Sequence, residues 1–597
     1  MRWQIEQHVL AKGMDYNLPM VGIAPDNPAD LVSLYPAPHL KSRYGWVLVG
    51  NLGKPYIAGL ATHAGTADIM IVTSPSLCIP PRKPYDSSIG GAPAEAVLVF
   101  STMGFCTGYD ASYIFPFYVR LRSDGSIYTT NPSQAFGTKF INLPYLTLPA
   151  CPVPSMRALY PLVQYDHTVL AGYLGRGTGS NYVPAIIVHG HRDMVINGVT
   201  RYGFGLYAEE TNNWNNFLQG LIEVPHTNPW DAAASNILST VAYWQGRGIL
   251  VGAPSAYPTI HGAYNTLYWS DLYSHNWRDT SFVRLSHTNG MVLNIITGKG
   301  YAYVVMSDGT YILTPADEPY VFIPQLVFAG VTIISRKTVA RFEDTLFILA
   351  HEGLYILAGN SAKRFSEALN PILRKVDIDK HPYNVPVGGD PVAYMYPPAH
   401  WVAASPDFVY VHLDMPVGER DRLYAFTVPS AQLTSFELPP SANSSMLLTT
   451  GVCAPCWSNE LLAVDSNDVF TVSNAQTPPA AEIPSLSLWR LKYGENHSIR
   501  YQSRWWHMNT TQYKRLQRIA FHGNIKTDKK VKIAVDYAIE HPDAGYQTYT
   551  TYVSPETLQA DMDITARWFR FTLECENVQE SDLFALVLHY KPRALRH

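Results

Sequence analysis

The sequence predicts an all-β protein: a β-propeller of about six to eight blades with insertions, followed by a C-terminal β-sandwich. Three observations predict this fold class. Pro and Gly, 44 and 40 residues respectively, are spread through the 597-residue chain, which favours turns over long helices. A turn-and-strand motif recurs along the middle of the chain. From about residue 487 that repeat ends and longer alternating strands replace it.

Short apolar or alternating runs of strand length dominate the chain, and turn residues bound each of them. Examples are AEAVLVF (94–100), AYVVM (302–306), LFILA (346–350) and FVYVHL (408–413). One segment, FSEALNPILRKV (365–376), predicts a helix instead. Ser366 is its expected cap, and four apolar residues recur at helical spacing: Leu369, Ile372, Leu373 and Val376.

The repeat consists of a polar turn followed by a strand with an aromatic residue near its start. It is seen in SDGTYIL (307–313), HEGLYIL (351–357), the segment Asp421–Phe426 and SNDVFTV (466–472). Thr266, Gly309, Gly353, Arg422 and Asp468 occupy equivalent places, so the successive intervals are 43, 44, 69 and 46 residues. One four-stranded propeller blade takes about 40–45 residues. Weaker matches lie around Gly125 and Asp193.

The C-terminal strands alternate cleanly between apolar and polar residues. They are KKVKIAVDY (529–537), ARWFRFTLE (566–574) and LFALVLHYK (583–591). In the last of these, the alternation predicts one shared face for Phe584, Leu586, Leu588 and Tyr590. One-sided alternation is typical of antiparallel sheets packed face to face. We therefore predict an extended arm over 1–46, a propeller over 47–486 with insertions at 130–260 and 359–400, and a sandwich over 487–597.

The composition indicates that much of the surface is covered by other subunits. Hydrophobic residues make up 47% of the chain, charged residues only 15%, and Tyr is abundant at 39. The alternative explanation is that β-rich folds favour aromatic residues. The net charge of −4 argues against tight binding of nucleic acid. We expect no signal peptide, no membrane span and, with six scattered cysteines, no disulfide framework.

The sequence carries no motif that specifies an enzyme, and we expect no catalytic residue, no metal and no cofactor. P-loop and nucleophile-elbow motifs are missing from the chain. His189 and His191 in HGHRD would share a strand face, but no third metal ligand is nearby, so a polar turn is the better interpretation. Cys453 and Cys456 form an isolated CAPC, better explained as free thiols than as a zinc site.

Two clusters are candidates for structural or interface roles. In NTLYWSDLYSHNWRD (265–279), Tyr268, Trp269, Asp271 and Trp277 suggest either an aromatic platform or one blade of a propeller wall. The repeat favours the wall, with Leu267 and Trp269 packed between blades, Tyr268 on the opposite face and Asp271 in the turn after the strand. In KTDKKVK (526–532), Lys530 and Lys532 lie on the outward face of a strand, facing solvent or a partner rather than DNA.

Parts of the chain resemble the propeller proteins of bacteriophage tails. The resemblance covers LYWSDLYSHNW, residues 330–373, the N-terminal stretch 13–46 and the alternating C-terminal region with its closing Tyr-Lys-Pro-Arg. Residues 130–260 show almost none. The resemblance implies a tail nozzle or hub of a short-tailed phage, a ring and commonly a hexamer below the portal-adaptor proteins. It also implies tail fibre or tailspike proteins as partners and passing double-stranded DNA, bound without sequence specificity.

The expected function is therefore that of a structural virion protein, made in the host cytoplasm, which retains DNA and conducts it during ejection. Two alternatives remain: a receptor-binding propeller at the tail tip, and a propeller glycosidase acting on host surface polysaccharide. The glycosidase would need clustered carboxylates, and a sialidase also a set of arginines. No local cluster of acids stands out among the 48 Asp and Glu residues.

Overall fold

The structure, a computed structural model, describes about two thirds of the chain. Between residues 50 and 241 it describes the backbone of the strands only. The described residues are 4–53, 67–72, 76–78, 96–106, 112–121, 169–175, 182–196, 199–210, 222–223, 237–253, 266–272, 277–285, 290, 292–298, 300–317, 320–334, 337–376, 381–387, 390–396, 400–413, 422–439, 447–453, 460–466, 486–508 and 512–593.

The N-terminal arm contributes four short strands and then a long one. They are β1 (Gln4–Val9), β2 (Pro28–Val32), β3 (Tyr35–Pro36), β4 (Leu40–Ser42) and β5 (Tyr44–Gly53). The next two groups of four are described as backbone. They are β6 (Ala67–Val72), β7 (Ser76–Cys78), β8 (Ala96–Cys106) and β9 (Ser112–Leu121), then β10 (Val169–Gly175), β11 (Tyr182–Ile196), β12 (Val199–Glu210) and β13 (Ile222–Glu223).

Three regular antiparallel sheets follow in the middle of the chain. The first consists of β14 (Ile237–Trp244), β15 (Arg247–Ala253), β16 (Thr266–Ser270) and β17 (Trp277–Arg284). The second consists of β18 (Val292–Thr297), β19 (Ala302–Met306), β20 (Gly309–Pro315) and β21 (Phe322–Ala329). The third consists of β22 (Val339–Phe342), β23 (Thr345–Ala350), β24 (Gly353–Ala358) and β25 (Ser361–Ser366).

A short helix and a hairpin separate these sheets from two more. They are α1 (Asn370–Leu373), β26 (His381–Val387) and β27 (Asp390–Tyr396). The sixth group is β28 (Trp401–Ala404), β29 (Phe408–His412), β30 (Leu423–Thr427) and β31 (Leu433–Phe436). The seventh sheet takes β32 (Leu447–Cys453), β33 (Leu461–Ser466) and β34 (Leu486–Tyr493) from late in the chain, and β5 from the arm pairs with β34 as its fourth strand.

The predicted fold class is confirmed: seven groups of four strands follow one another within the described residues, which agrees with a propeller of about six to eight blades. The repeat also marks equivalent places. Thr266, Gly309 and Gly353 begin the third strand of their sheets, and Arg422 directly precedes the third strand of its group. Asp193 lies within the second strand of its sheet instead. Gly125 and Asp468 fall outside the described residues.

The structure differs from the sequence prediction in how the chain is divided. The described strands within 130–260 form one whole sheet and half of the next, so they are propeller repeats rather than an insertion. The segment 359–400 begins with β25, the outer strand of its sheet, and only α1, β26 and β27 lie outside the repeat. The last residues of the predicted arm belong to β5, which is a strand of a propeller sheet. At the other end, β34 extends the propeller to Tyr493. These repeats have low sequence similarity to the others, so the turn-and-strand motif does not identify their strands.

The predicted helix over 365–376 is much shorter than expected. Residues up to Ser366 pair as a strand with β24, and only Asn370–Leu373 is helical. Ser366 does not cap the helix; its Oγ accepts a bond from the Ala368 N–H at 3.3 Å. The four apolar residues at helical spacing are nonetheless buried in one core cluster: Leu369, Ile372, Leu373 and Val376. Their spacing therefore predicts their burial correctly, but it does not predict the length of the helix.

The C-terminal strands form one curled sheet around a shared core. They are β35 (His497–Ser503), β36 (Lys514–Thr527), β37 (Val531–Ala538), β38 (Gln547–Val553), β39 (Gln559–Ala566) and β40 (Trp568–Pro592). The first half of the 25-residue β40 pairs with β35 and β37, and its second half pairs with β36 and with β1 and β4 of the arm. Side chains from both halves of β40, such as Phe571 and Leu588, are buried in one apolar cluster together with Val535 of β37.

One predicted face of this sheet is wrong at a single residue. Leu586, Leu588 and Tyr590 are buried as expected, whereas Phe584 is 47% exposed. The pairing with β36 passes from His522–Ala585 to Gly523–Leu583, so Phe584 is an extra residue in a β-bulge. A bulge shifts the alternation by one and turns the side chain to the other face.

Candidate functional site

The arm is threaded between the propeller and the C-terminal sheet. Strand β2 pairs antiparallel with β35, and its Val32 pairs with Ser435 of the propeller strand β31. Strands β1 and β4 lie along the second half of β40. One segment of about fifty residues therefore ties both bodies together, and we call this region the arm junction.

A chain of opposite charges crosses the arm junction. Asp30 of the arm, only 7% exposed, accepts from Nη1 and Nη2 of Arg422 in the propeller, and its Oδ2 lies 3.6 Å from Arg500 Nη1 of the C-terminal sheet. Arg500 Nε in turn lies 3.2 Å from Glu574, which also pairs with Lys532 Nζ at 2.8 Å. Each carboxylate neutralises cations from two different strands, which is the arrangement that buried charges require.

A second contact fixes the turn of the arm that precedes β2. Arg504 is 1% exposed, and its guanidinium donates to the backbone carbonyls of Leu18 at 2.8 Å, Pro19 at 3.0 Å and Asp15 at 2.5 Å. Burial lowers the pKa of Arg504, and the nearby carboxylate of Asp15 opposes that effect. The rigid planar fork of arginine suits this task, since it can reach several carbonyls at once.

A cleft of about 470 Å³ opens beside the arm junction, between the propeller and the C-terminal sheet. Such a volume lies within the range of about 300–1,000 Å³ typical of small-molecule sites. Strands β5, β31 and β34 supply one wall, and β35 and β40 the other. The lining residues are Ser33, Tyr44, Gly45, Trp46, Phe436, Glu437, Leu438, Leu491, Asn496, His497, Ser498, Glu576 and Asn577.

The wall from the C-terminal sheet contains a β-bulge at the cleft. His497 pairs with Val578 and Ile499 with Cys575, so Glu576 and Asn577 together oppose the single residue Ser498. Asn577 adopts a left-handed backbone conformation with a φ of 55°. Bulges of this kind redirect side chains and are frequent beside functional sites. Here the bulge places Glu576 on the lining of the cleft.

The opposite wall presents a second carboxylate, Glu437, directly after β31. Glu437 is exposed to solvent and lies on the lining of the cleft. Partial burial raises the pKa of Glu437; the charge of Glu576 raises it further, and a hydrogen bond with Ser498 opposes both. Trp46 is held beside it, because the indole Nε1 donates to the Glu437 carbonyl at 2.6 Å. Two carboxyl groups thus share one cleft with an indole ring.

Gly45 and His497 also line the cleft. A side chain at Gly45 would meet the carbonyl oxygens of Asn496 and Glu495 at 2.4 and 2.7 Å, so only glycine lets the two walls approach this closely. The His497 ring contacts Ser42 Oγ through Nε2, and its Nδ1 lies 2.8 Å from the Glu495 carbonyl. Burial lowers the pKa of His497, and the guanidinium of Arg43 lowers it further, against the effect of the Glu495 carbonyl.

We predict that acid weakens the arm junction through His497. Its folded-state pKa lies below the unfolded value of about 6.5, so stability is present above that pH and is lost as the pH falls below it. His497→Gln removes this titration, and its free energy of unfolding should fall less than that of the wild type between pH 7 and pH 5. Chemical denaturation at both pH values measures the difference. An equal loss in the two proteins would contradict the prediction.

The predicted aromatic cluster lies elsewhere, in the propeller. Leu267 and Trp269 are 1% and 6% exposed and pack in a core cluster shared by the sheets β14–β17 and β18–β21, as expected. Tyr268 is also buried, but its ring lies beside Phe282, outside that cluster. Asp271 follows the strand; Ser270 Oγ accepts from Gly248 N–H at 2.8 Å and donates to the Asp271 carbonyl at 3.1 Å. Trp277 begins β17, and its side chain lies outside the described part.

The two predicted lysines occupy different environments. Lys530 is exposed in the turn before β37, whereas Lys532 is half-buried on that strand and pairs with Glu574. Lys532 therefore belongs to the charge chain of the arm junction. His189 and His191 lie on β11, and their side chains, like Cys456, are outside the described part. No helix among the described residues is long and apolar enough to cross a membrane.

These features define the class of the protein as a β-propeller whose blades are joined by an arm to a curled C-terminal sheet. No protein-family model matches the chain, and none of the curated proteins matches its sequence. Solved structures similar to it include the Pan2 WD40 domain of Neurospora crassa, with 8% identity, a TM-score of 0.34 and coverage of 75% of this chain and 96% of that one.

Two enzymes are also among the similar structures. An exo-β-1,3-galactanase of Phanerochaete chrysosporium has 8% identity, a TM-score of 0.22 and coverage of 70% of this chain and 95% of that one. A sialidase of Trypanosoma rangeli in complex with 2,3-difluorosialic acid has 9% identity, a TM-score of 0.26 and coverage of 93% of each chain. Such low values concern the fold and transfer no residue or substrate to this chain.

Against the expectation that the chain is not an enzyme, the structures similar to it include a glycoside hydrolase and a sialidase. That expectation rests on the lack of a local catalytic motif. Glu437 and Glu576 are 139 residues apart, and the fold brings both to one cleft. Sequence proximity could not reveal this pair, and the only local signal was an irregular alternation around Glu576.

Proposed function

We propose that the protein is a structural component of a bacteriophage tail, a wall subunit of a nozzle or hub that surrounds the DNA exit channel. The resemblance in sequence suggests this role, and the arm junction supports it, since a wall that contains DNA under pressure needs its parts held rigidly together. Portal-adaptor proteins and tail fibres are the proposed partners, and the virion is the proposed location.

The proposed self-association into a ring rests on exposed apolar side chains at β1. The outward face of β1 exposes Ile5 by 68% and Val9 by 60%, and Phe584 beside them is 47% exposed. The Leu10 N–H donates to the Phe584 carbonyl at 2.8 Å, so Phe584 lies at the end of the pairing between β1 and β40. Exposed apolar side chains grouped in this way are typical of contact surfaces between subunits. The proposed occupant is a second copy of this chain.

Native mass spectrometry of the purified protein, alone and mixed with its tail partners, tests this proposal. The wild type should form a closed ring, commonly a hexamer, and join tail particles. Ile5→Asp with Val9→Asp should shift it to the monomer, whereas the matched change Tyr320→Asp, at a residue 71% exposed on the propeller, should not. A wild-type protein that stays monomeric and never joins a tail particle would exclude the role.

A second candidate function is hydrolysis of host surface polysaccharide, and the paired carboxylates of the cleft favour it. Protonated Glu437 would give its proton to the glycosidic oxygen as the bond from that oxygen to the anomeric carbon breaks. Glu576 would act as the base that takes a proton from the water that adds to that carbon. Glycosidases generally divide these two tasks between two carboxyl groups.

Release of reducing ends from capsule or lipopolysaccharide measures this activity. Glu437→Gln and Glu576→Gln should each reduce it by about 100-fold or more, the usual contribution of a catalytic acid or base. Glu556→Gln, at an exposed acid outside the cleft, is the matched control. Failure of the wild type to release sugar from any of these polysaccharides would remove the second candidate.

A further inference from the structure

The charged side chains in the described lining of the cleft are acidic. Its described residues include two carboxylates, Glu437 and Glu576, and neither Lys nor Arg is among them. Arg43, which precedes the lining residue Tyr44 in the sequence, is directed elsewhere: its guanidinium lies 2.8 Å from Asp582 and 2.9 Å from Glu580, and it donates to the Ser581 carbonyl at 2.7 Å. Of the other titratable residues in the lining, His497 has a lowered pKa and Tyr44 a raised pKa, so both are neutral at pH 7. The cleft thus carries a negative field.

The other lining groups suit a ligand that has both an apolar face and many hydroxyl groups. Trp46 and Tyr44 offer aromatic surface, and Phe436 and Leu491, each 1% exposed, close the base of the cleft. Asn496, Asn577 and Ser498 add amide and hydroxyl groups that both donate and accept hydrogen bonds. A sugar ring matches this combination, since one face is made of C–H groups and its rim of hydroxyl groups.

We propose that this cleft binds neutral or amine-bearing sugar rings and rejects sugars that carry a carboxylate. The inference rests on the second candidate function and adds its specificity. A ring carboxylate placed between Glu437 and Glu576 would meet like charge and find no arginine. An ammonium group would instead be attracted by both carboxylates and by the face of the Trp46 indole. The cleft is therefore unsuited to sialic acid, although it belongs to a propeller.

A matched set of three tetrasaccharides with the same β-1,4 backbone tests the proposal. The probes are cellotetraose, fully deacetylated chitotetraose, and cellotetraose oxidised to uronic acid at each C6, with binding measured by calorimetry at pH 7. The carboxylated probe should bind at least about 10-fold more weakly than the neutral one, a difference of about 1.4 kcal/mol. The amine-bearing probe should bind at least as tightly as the neutral one. Raising the salt concentration to about 1 M should reduce both differences, because it screens charges that are open to solvent.

Variants of the lining residues test whether the probes bind in the cleft. Trp46→Ala should weaken the neutral probe by about 10-fold or more, and Trp46→Phe should retain much of the binding. The double variant Glu437→Gln with Glu576→Gln should bring the neutral and carboxylated probes to within a few-fold of each other. Tyr552→Ala, at a residue 62% exposed outside the cleft, and Glu556→Gln are the matched controls. Unchanged melting temperatures would show that all the variants are folded.

The outcomes separate this inference from the function on which it rests. Tight binding of the carboxylated probe, binding that the cleft variants leave unchanged, or no binding of any probe would each overturn the inference. Hydrolysis that persists in the cleft variants would overturn it while leaving a glycosidase in place. Binding with the expected order but without release of reducing ends would support the inference and remove the second candidate function.

Discussion

Asp30→Ala should destabilise the arm junction by about 3 kcal/mol, the lower end of the range for removing one member of a buried ion pair. Asp30 lies between Arg422 of the propeller and Arg500 of the C-terminal sheet. Its removal leaves two partly buried guanidinium groups without their shared carboxylate, and among the described residues only Arg500 retains another one, Glu574. Most of the loss reflects this uncompensated charge rather than the net worth of the ion pairs.

Thermal unfolding, together with limited proteolysis of the arm, measures the effect. The variant should melt at lower temperature, and cleavage between residues 10 and 44 should become faster as the arm detaches. Adding Arg422→Met to Asp30→Ala should recover part of the loss, since it removes one of the orphaned cations. The matched control is Asp543→Ala, because that carboxylate is 88% exposed and its pairing with His541 contributes little. A loss no larger than that of the control would show that the charge chain is dispensable.

The sequence predicts the repeating part of this fold well, because each blade carries its own local signal. The turns at Gly309 and Gly353 begin equivalent strands, and the alternation in β37 and β40 marks the faces that become buried. Local patterns of this kind depend only on neighbouring residues. The failures occur where a distant segment decides the structure. β5 completes a sheet whose other strands lie more than 390 residues later, and no local pattern indicates that pairing.

The candidate site illustrates the same limit. Asp30 and Arg422 are 392 residues apart and Glu437 and Glu576 are 139 apart, so neither pair forms a motif. The aromatic cluster around Trp269, which is conspicuous in the sequence, belongs to the packing between blades instead. The strand pattern predicts Lys532 on the outward face, but Lys532 pairs with Glu574, and a strand pattern cannot show that contact. Residue type and alternation predict burial, whereas partners across the chain require the fold.

Trp269→Ala should destabilise the propeller by about 3–5 kcal/mol, the range measured for removing a large aromatic side chain from a core. The indole is 6% exposed and packs edge-on against Phe322, with ring centroids 5.7 Å apart. Phe322 also stacks on Trp244 at 5.3 Å, so the substitution opens a cavity at the contact between two neighbouring sheets. Both sheets should be affected, because Trp269 and Trp244 belong to one and Phe322 to the other.

Urea denaturation followed by tryptophan fluorescence, with Trp269→Phe alongside, tests this cavity. Phenylalanine keeps an aromatic ring against Phe322 and should lose less than half as much stability as alanine, since the remaining cavity is smaller. Tyr552→Ala, at an aromatic residue 62% exposed on β38, should change the free energy of unfolding by less than about 0.5 kcal/mol. Equal losses for Trp269→Ala and Tyr552→Ala would mean that the ring is not part of a packed contact between sheets. The interpretation of the aromatic stretch as one blade of a wall would then fail, and its role as an open aromatic platform would return.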